Sequence, residues 1–81
     1  MVIYAACHVE EEFFRVDQYW GDYGEDIDGY FIKKDDALNA VKFAENNYRN
    51  FGKVEHKNGK TIVWISPYFR YIHYVREIEV K

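Results

Sequence analysis

The chain predicts an α+β fold: an antiparallel sheet of five to six strands with one helix packed on one face, in the order β-β-β-α-β-β-β. Three observations carry this. Asn58-Gly59 separates two strand-like runs, and that pair readily takes the positive φ angles of a tight hairpin turn. Ala37, Val41, Ala44, Tyr48 and Phe51 recur at spacings of four and three, which builds one apolar helical stripe. On both sides of the helix, short runs rich in Val, Ile, Tyr and Phe suit half-buried strands.

Residues 2–9 form the first expected strand, too short and too β-branched for a helix. Ile3, Ala5, Cys7 and Val9 share one face, and Tyr4, Ala6 and His8 the other. Residues 10–12, three consecutive glutamates, interrupt the apolar run and are expected to turn the chain. A second strand over 13–20 would place Phe14, Val16 and Trp20 on one side. Residues 21–28 hold two glycines and four acids, the composition of an exposed loop. Residues 29–32 give a short third strand.

The helix begins at Asp35 or Asp36. A carboxylate there accepts free backbone N–H groups and sits at the positive end of the helix dipole. Gly52 follows the stripe and suits a left-handed cap. The two-residue turn at Asn58-Gly59 sets Lys57 opposite Lys60, His56 opposite Thr61, and Val54 opposite Val63. Pro67 cannot donate to a sheet, so the chain bends at Ser66-Pro67. Residues 68–80 form the last strand; their density of Tyr, Ile and Val favours it over a helix started at Pro67. At 81 residues, the chain reads as a single domain.

The charges are not mixed. Residues 1–32 hold eight acids (Glu10, Glu11, Glu12, Asp17, Asp22, Glu25, Asp26, Asp28) and one base, Arg15. Residues 33–81 hold six acids and ten bases, so halves of −7 and +4 make up the net −3. A field of one sign attracts the other, so this asymmetry concerns partners. The acidic half also carries Tyr19, Trp20 and Tyr23, the large groups that anchor interfaces. Glu10, Glu11, Glu12, Asp17, Tyr19, Trp20, Asp22, Tyr23, Glu25, Asp26 and Asp28 are therefore the candidate partner-binding residues. Spaced carboxylates can imitate nucleic-acid phosphates and occupy a basic protein surface. The plainer reading is a solvated face whose acids discourage strand edges from pairing.

Two alternatives use the basic half. Lys53, Lys57 and Lys60 around the hairpin, with Arg70, Arg76, Tyr68 and Tyr74 on the last strand, offer cations beside aromatics, as single-stranded nucleic acid requires. The sequence pI of about 5.5 and the lack of an RNA-binding signature argue against it. Alternatively, the acidic half of one copy meets the basic half of the next in a homo-oligomer.

Catalytic and metal chemistry find no support in the spacing. His8, His56, His73 and Cys7 show no His-x-x-x-His or Cys-x-x-Cys pattern, and Cys7 and His8 point to opposite faces of a strand. No bound metal, cofactor or enzymatic activity is expected. The single cysteine excludes an internal disulfide. No secretory leader and no membrane-spanning run is legible, so a cytoplasmic protein is expected.

The pattern Gly29-Tyr30-Phe31, then Asp35-Asp36-Ala37 and Ala40, is similar to the strand-to-capped-helix step of many small α+β proteins, some of them phage-encoded. The size, the Tyr-, Asn- and Lys-rich composition and the acidic face resemble small accessory proteins of bacteriophages. That resemblance implies an inhibitor of a nucleic-acid-handling host protein, and it carries over no functional residue.

Overall fold

A computed structural model describes residues 1–48 and 53–81, with the side chains of all of these except 44–48. Two long strands open the chain, β1 (Val2–Phe14) and β2 (Tyr19–Phe31). The helix α1 (Lys34–Tyr48) follows, then β3 (Lys53–Lys57), β4 (Lys60–Ser66) and β5 (Phe69–Glu79). All pairings are antiparallel, in the spatial order β2-β1-β5-β4-β3.

The sheet and the helix agree with the expected class, but the strand order does not: two strands precede the helix, not three. The glutamates expected to turn the chain lie inside β1, where Glu10, Glu11 and Glu12 pair with Tyr71, Arg70 and Phe69 of β5. The true turn spans 15–18, within the strand expected at 13–20, with Gln18 at φ 53°. Val16, placed on a strand face, is 96% exposed at that turn. Phe13, not Phe14, lies across from Trp20. The expected loop at 21–28 and the strand at 29–32 are one continuous strand, β2.

The reason is positional. β2 is an edge strand with water on one side, so its acids stay solvated, while in the central strand β1 Glu11 and Glu12 are held by Arg70 and Tyr23. Two register shifts absorb the irregularity, one between Ala6 and Cys7 and one between Val9 and Glu11. Gly24 lies at the second with φ 99°, a conformation that glycine adopts freely.

Elsewhere the local signals hold. Asn58 and Gly59 take φ 54° and 76°, and Lys57–Lys60, His56–Thr61 and Val54–Val63 pair as the turn dictates. Ser66 and Phe69 pair around Pro67-Tyr68, so the chain bends at the proline and β5 starts one residue later than expected. The helix starts at Lys34, before the expected cap, so Asp35 and Asp36 lie inside the first turn of α1, still at the positive end of its dipole. Ala37 and Val41 are buried, as the stripe requires. The Ala44 and Tyr48 side chains, Phe51 and the Gly52 cap lie outside what is described.

Strand alternation shows which face the helix covers. Ala6, Thr61, Val63 and His73 are buried on one face, together with Ala37 and Val41 of α1. A groove lined by Leu38 and Val41 of α1 and by His56 and Thr61 of the sheet runs along this contact. The opposite face, with Val9, Glu11, Ile62, Trp64, Arg70, Ile72 and Tyr74, has no helix among the described residues. None of the described helices is long and apolar enough to cross a membrane.

Candidate functional site

The eleven candidate binding residues fall on one hairpin, but alternation splits them between two faces. Glu11, Trp20, Asp22 and Glu25 lie on the open face; Glu10, Glu12, Tyr19, Asp26 and Asp28 lie on the helix-covered face. Asp17 is in the turn. Asp22, Tyr23, Glu25, Asp26 and Asp28 are exposed along the outermost strand, β2. Tyr19 and Tyr30 add exposed rings to the same strand.

Several of the acids have internal partners. Arg70 Nε donates to Glu11 Oε1 at 2.7 Å. Arg76 lies 3.1 Å from Glu25, which also accepts the Tyr74 hydroxyl. Burial and that bond push the Tyr74 pKa well above its ordinary value. The Tyr23 hydroxyl donates to Glu12 at 2.7 Å, which raises the Tyr23 pKa. The exposed charge left for a partner is therefore concentrated on Asp22 and on Asp26 and Asp28, whose contact is with the imidazole of His8. Trp20, expected as an interface anchor, is half-buried: the Arg70 guanidinium lies 3.8 Å from its ring centroid and 5.1 Å from that of Trp64. The contacts of Arg70 and Arg76 engage two of the cations that nucleic-acid binding would use.

A second constellation was not legible from spacing. The register lines up Asp26 of β2, His8 of β1, His73 of β5, Thr61 of β4 and His56 of β3 in one row across all five strands, on the helix-covered face. It contains all three histidines of the chain. Thr61 Oγ1 lies 3.3 Å from His56 Nδ1. The His8 and His73 rings are 5.3 Å apart. His8 Nδ1 lies 2.8 Å from Asp28 Oδ2, and His8 Nε2 lies 3.4 Å from Asp26 Oδ2.

Asp28 enters the row through the first register shift. Gly29 pairs with Ala6 and Ile27 with Cys7, so Asp28 is the extra residue of a bulge and comes to the side of His8. His73 is buried, and burial holds its imidazole below the ordinary value; His8 adds to this and Asp28 opposes it. A ligand atom from each of His8, Asp28 and His73 falls within 4.8 Å of the others. No spacing along the chain points to this convergence. The His56–Thr61 step was legible from the hairpin, but the His8–His73 step depends on a pairing between strands 65 residues apart in sequence.

Cys7 points away from this row, to the open face, and is fully buried between Ile27 and Tyr74 in the register. Burial, reinforced by Glu25, raises its thiol pKa. The thiolate is the reactive form, so Cys7 is expected to resist a thiol-specific reagent in the native protein and to react fully in denaturant. Rapid native labelling, measured by mass spectrometry, would contradict the burial of β1.

Comparison of the chain with family models, curated proteins and solved structures gave no match.

Proposed function

We propose that this chain is a non-enzymatic binding module that presents its β2 edge to a basic surface of another protein. The observation that carries this is the position of the acids: they lie on an edge strand, exposed beside Tyr19, Tyr23 and Tyr30. Such an edge offers free backbone hydrogen-bonding groups as well as charge. Strand residues rise about 3.3 Å each, so Asp22, Asp26 and Asp28 are spread over about 20 Å. Phosphates of one DNA strand recur every ~3.4 Å of helix axis, so this spread corresponds to about six phosphate steps. The most concrete form of the reading is a phage- or mobile-element-type inhibitor. It would act in the cytoplasm of a host cell and take the place of nucleic acid on a nucleic-acid-handling protein.

The test is charge reversal. Immobilised protein is expected to capture basic, nucleic-acid-binding proteins from a bacterial lysate. The triple variant Asp22→Lys, Asp26→Lys, Asp28→Lys should abolish capture with an unchanged circular dichroism spectrum. Glu25 is left in place because Arg76 and Tyr74 depend on it. Reversal of Lys53, Lys57 and Lys60 should leave capture nearly unchanged. If the acidic reversal is silent and the basic one decisive, the reading fails in favour of nucleic-acid binding.

A homo-oligomer is a second reading, favoured by the opposite signs of the two sheet edges: β2 is acidic, while β3 carries Lys53 and Lys57. Association of that kind weakens with salt, since the Debye length falls from about 10 Å at 0.1 M to about 3 Å at 1 M. A monomer in sedimentation at both salts removes it.

A further inference from the structure

We propose that His8, His73 and Asp28 form a binding site for a divalent transition metal of the zinc class, with Asp26 holding the second nitrogen of His8. This site shares Asp26 and Asp28 with the acidic edge of the protein-binding reading above, but metal binding is measured on the isolated chain and does not depend on that reading.

The donor set has the right chemistry. Imidazole nitrogens suit zinc, copper, nickel and iron. Two imidazoles and one carboxylate make a three-ligand set that leaves a coordination position for water or a further ligand. The charges also match. The histidines contribute two neutral donors, and Asp26 and Asp28 contribute two negative charges opposite a dication.

The geometry is close to that of a bound state. Zinc bonds to nitrogen and oxygen at about 2.0–2.2 Å, so neighbouring ligand atoms in a tetrahedral site lie about 3.4 Å apart. His8 Nδ1 and Asp28 Oδ2 are 2.8 Å apart, and the largest separation within the three-atom set is at most 4.8 Å. Closing that gap takes a modest side-chain rotation. The Asp28 side chain is 43% exposed and has room to make it, while His73 is fixed by burial.

Asp26 sits where a ligating histidine normally finds its supporting acid. The Nε2 of His8 faces Asp26 at 3.4 Å, which leaves Nδ1 to the metal. Carboxylate–histidine–metal arrangements of this kind fix the ring orientation and raise ligand basicity. Asp26 and Asp28 are exposed at the β2 edge and His8 is half-buried, so an ion approaches the site from that edge, with the buried His73 at its inner end.

Cobalt(II) titration of the chelator-treated protein tests this. The expected result is a saturable set of visible absorption bands at one equivalent, displaced by zinc, with a zinc-dependent rise in melting temperature. Asp28→Asn and His8→Gln, both altered at partly exposed side chains, should each weaken zinc binding at least about tenfold. Asp26→Asn should weaken it about tenfold or more through the loss of its support to His8. Cys7→Ser and His56→Gln should bind as the parent does. The proposal is overturned if the folded parent gives neither cobalt bands nor a zinc-dependent melting shift. It is equally overturned if Asp28→Asn and His8→Gln bind unchanged, or if Cys7→Ser or His56→Gln abolishes binding.

Discussion

Replacing Val63 with aspartate is expected to remove the cooperative folded state. Val63 is fully buried at the middle of β4, flanked in the register by Val54 of β3 and Tyr71 of β5. It stands on the helix-covered face and, among the described residues, is one of the two largest side chains that are fully buried. An uncompensated charge there costs about 3–5 kcal/mol even after local relaxation. Stabilities of about 0.05–0.15 kcal/mol per residue give a chain of this length about 4–12 kcal/mol in all. Because the core is small, a total near the lower end of that range is expected, and there the substitution consumes most or all of it. Val63→Ala keeps the site apolar and is expected to lose about 2 kcal/mol. Urea denaturation followed by near-ultraviolet circular dichroism checks both. A Val63→Asp protein that unfolds at the parent midpoint would mean that α1 does not cover this face.

The prominence of Val63 was legible in the sequence only through the turn beside it. Asn58-Gly59 fixed the pairing of Val54 with Val63 because a two-residue loop has one register, and the positive φ angles at both positions bear that out. The helix was legible for a similar reason: a period of 3.6 is a property of neighbouring residues. In the first thirty residues the local signals conflict with the strands they form. Glu10, Glu11 and Glu12 resemble a turn until Tyr71, Arg70 and Phe69 are set opposite them, and those partners come about 60 residues later. Gly21 to Asp28 resembles a loop by composition, since nothing within the segment shows that it lies at an edge, where glycine and aspartate are tolerated. The histidine row was hidden by the same gap. Each histidine was visible, but convergence of His8 with His73 follows from strand order, and the arrival of Asp28 follows from a bulge that no spacing rule predicts. The candidate acids stand out by composition, but their place on one hairpin was not legible, because Glu10 to Glu12 resemble a turn and Gly21 to Asp28 a loop. Their division between two faces, and the pairing of Glu11 and Glu25 with arginines, required the register.

The second large effect is expected from Arg70→Ala. Arg70 ties four strands together on the open face. Its guanidinium lies 3.8 Å from the Trp20 ring of β2 and 5.1 Å from the Trp64 ring of β4, while its Nε donates to Glu11 of β1 at 2.7 Å. Both charged side chains are 19% exposed, so water screens the pair only in part. A hydrogen bond between charged groups contributes about 1.5–3 kcal/mol. A partly desolvated cation over an aromatic face adds about 1 kcal/mol. Truncation also leaves Glu11 without its partner, so about 3 kcal/mol is the expected loss. For a domain of this size, 1 kcal/mol corresponds to about 4–8 °C, and the melting temperature should fall by about 12–24 °C. Arg70→Lys should recover only part of this, because a compact ammonium cannot stack on the Trp20 ring as the planar guanidinium does. A double-mutant cycle with Glu11→Gln separates the ion pair from the ring contacts. A loss within about 0.5 kcal/mol for Arg70→Ala would show that the pair behaves like an ordinary surface salt bridge. The consequence reaches the proposed interface. Among the described strands β2 pairs with β1 alone, and the Trp20–Arg70 contact ties it further into the sheet. Arg70→Ala should therefore weaken capture of a basic partner even at temperatures where the chain stays folded, although Arg70 itself is no part of the acidic edge.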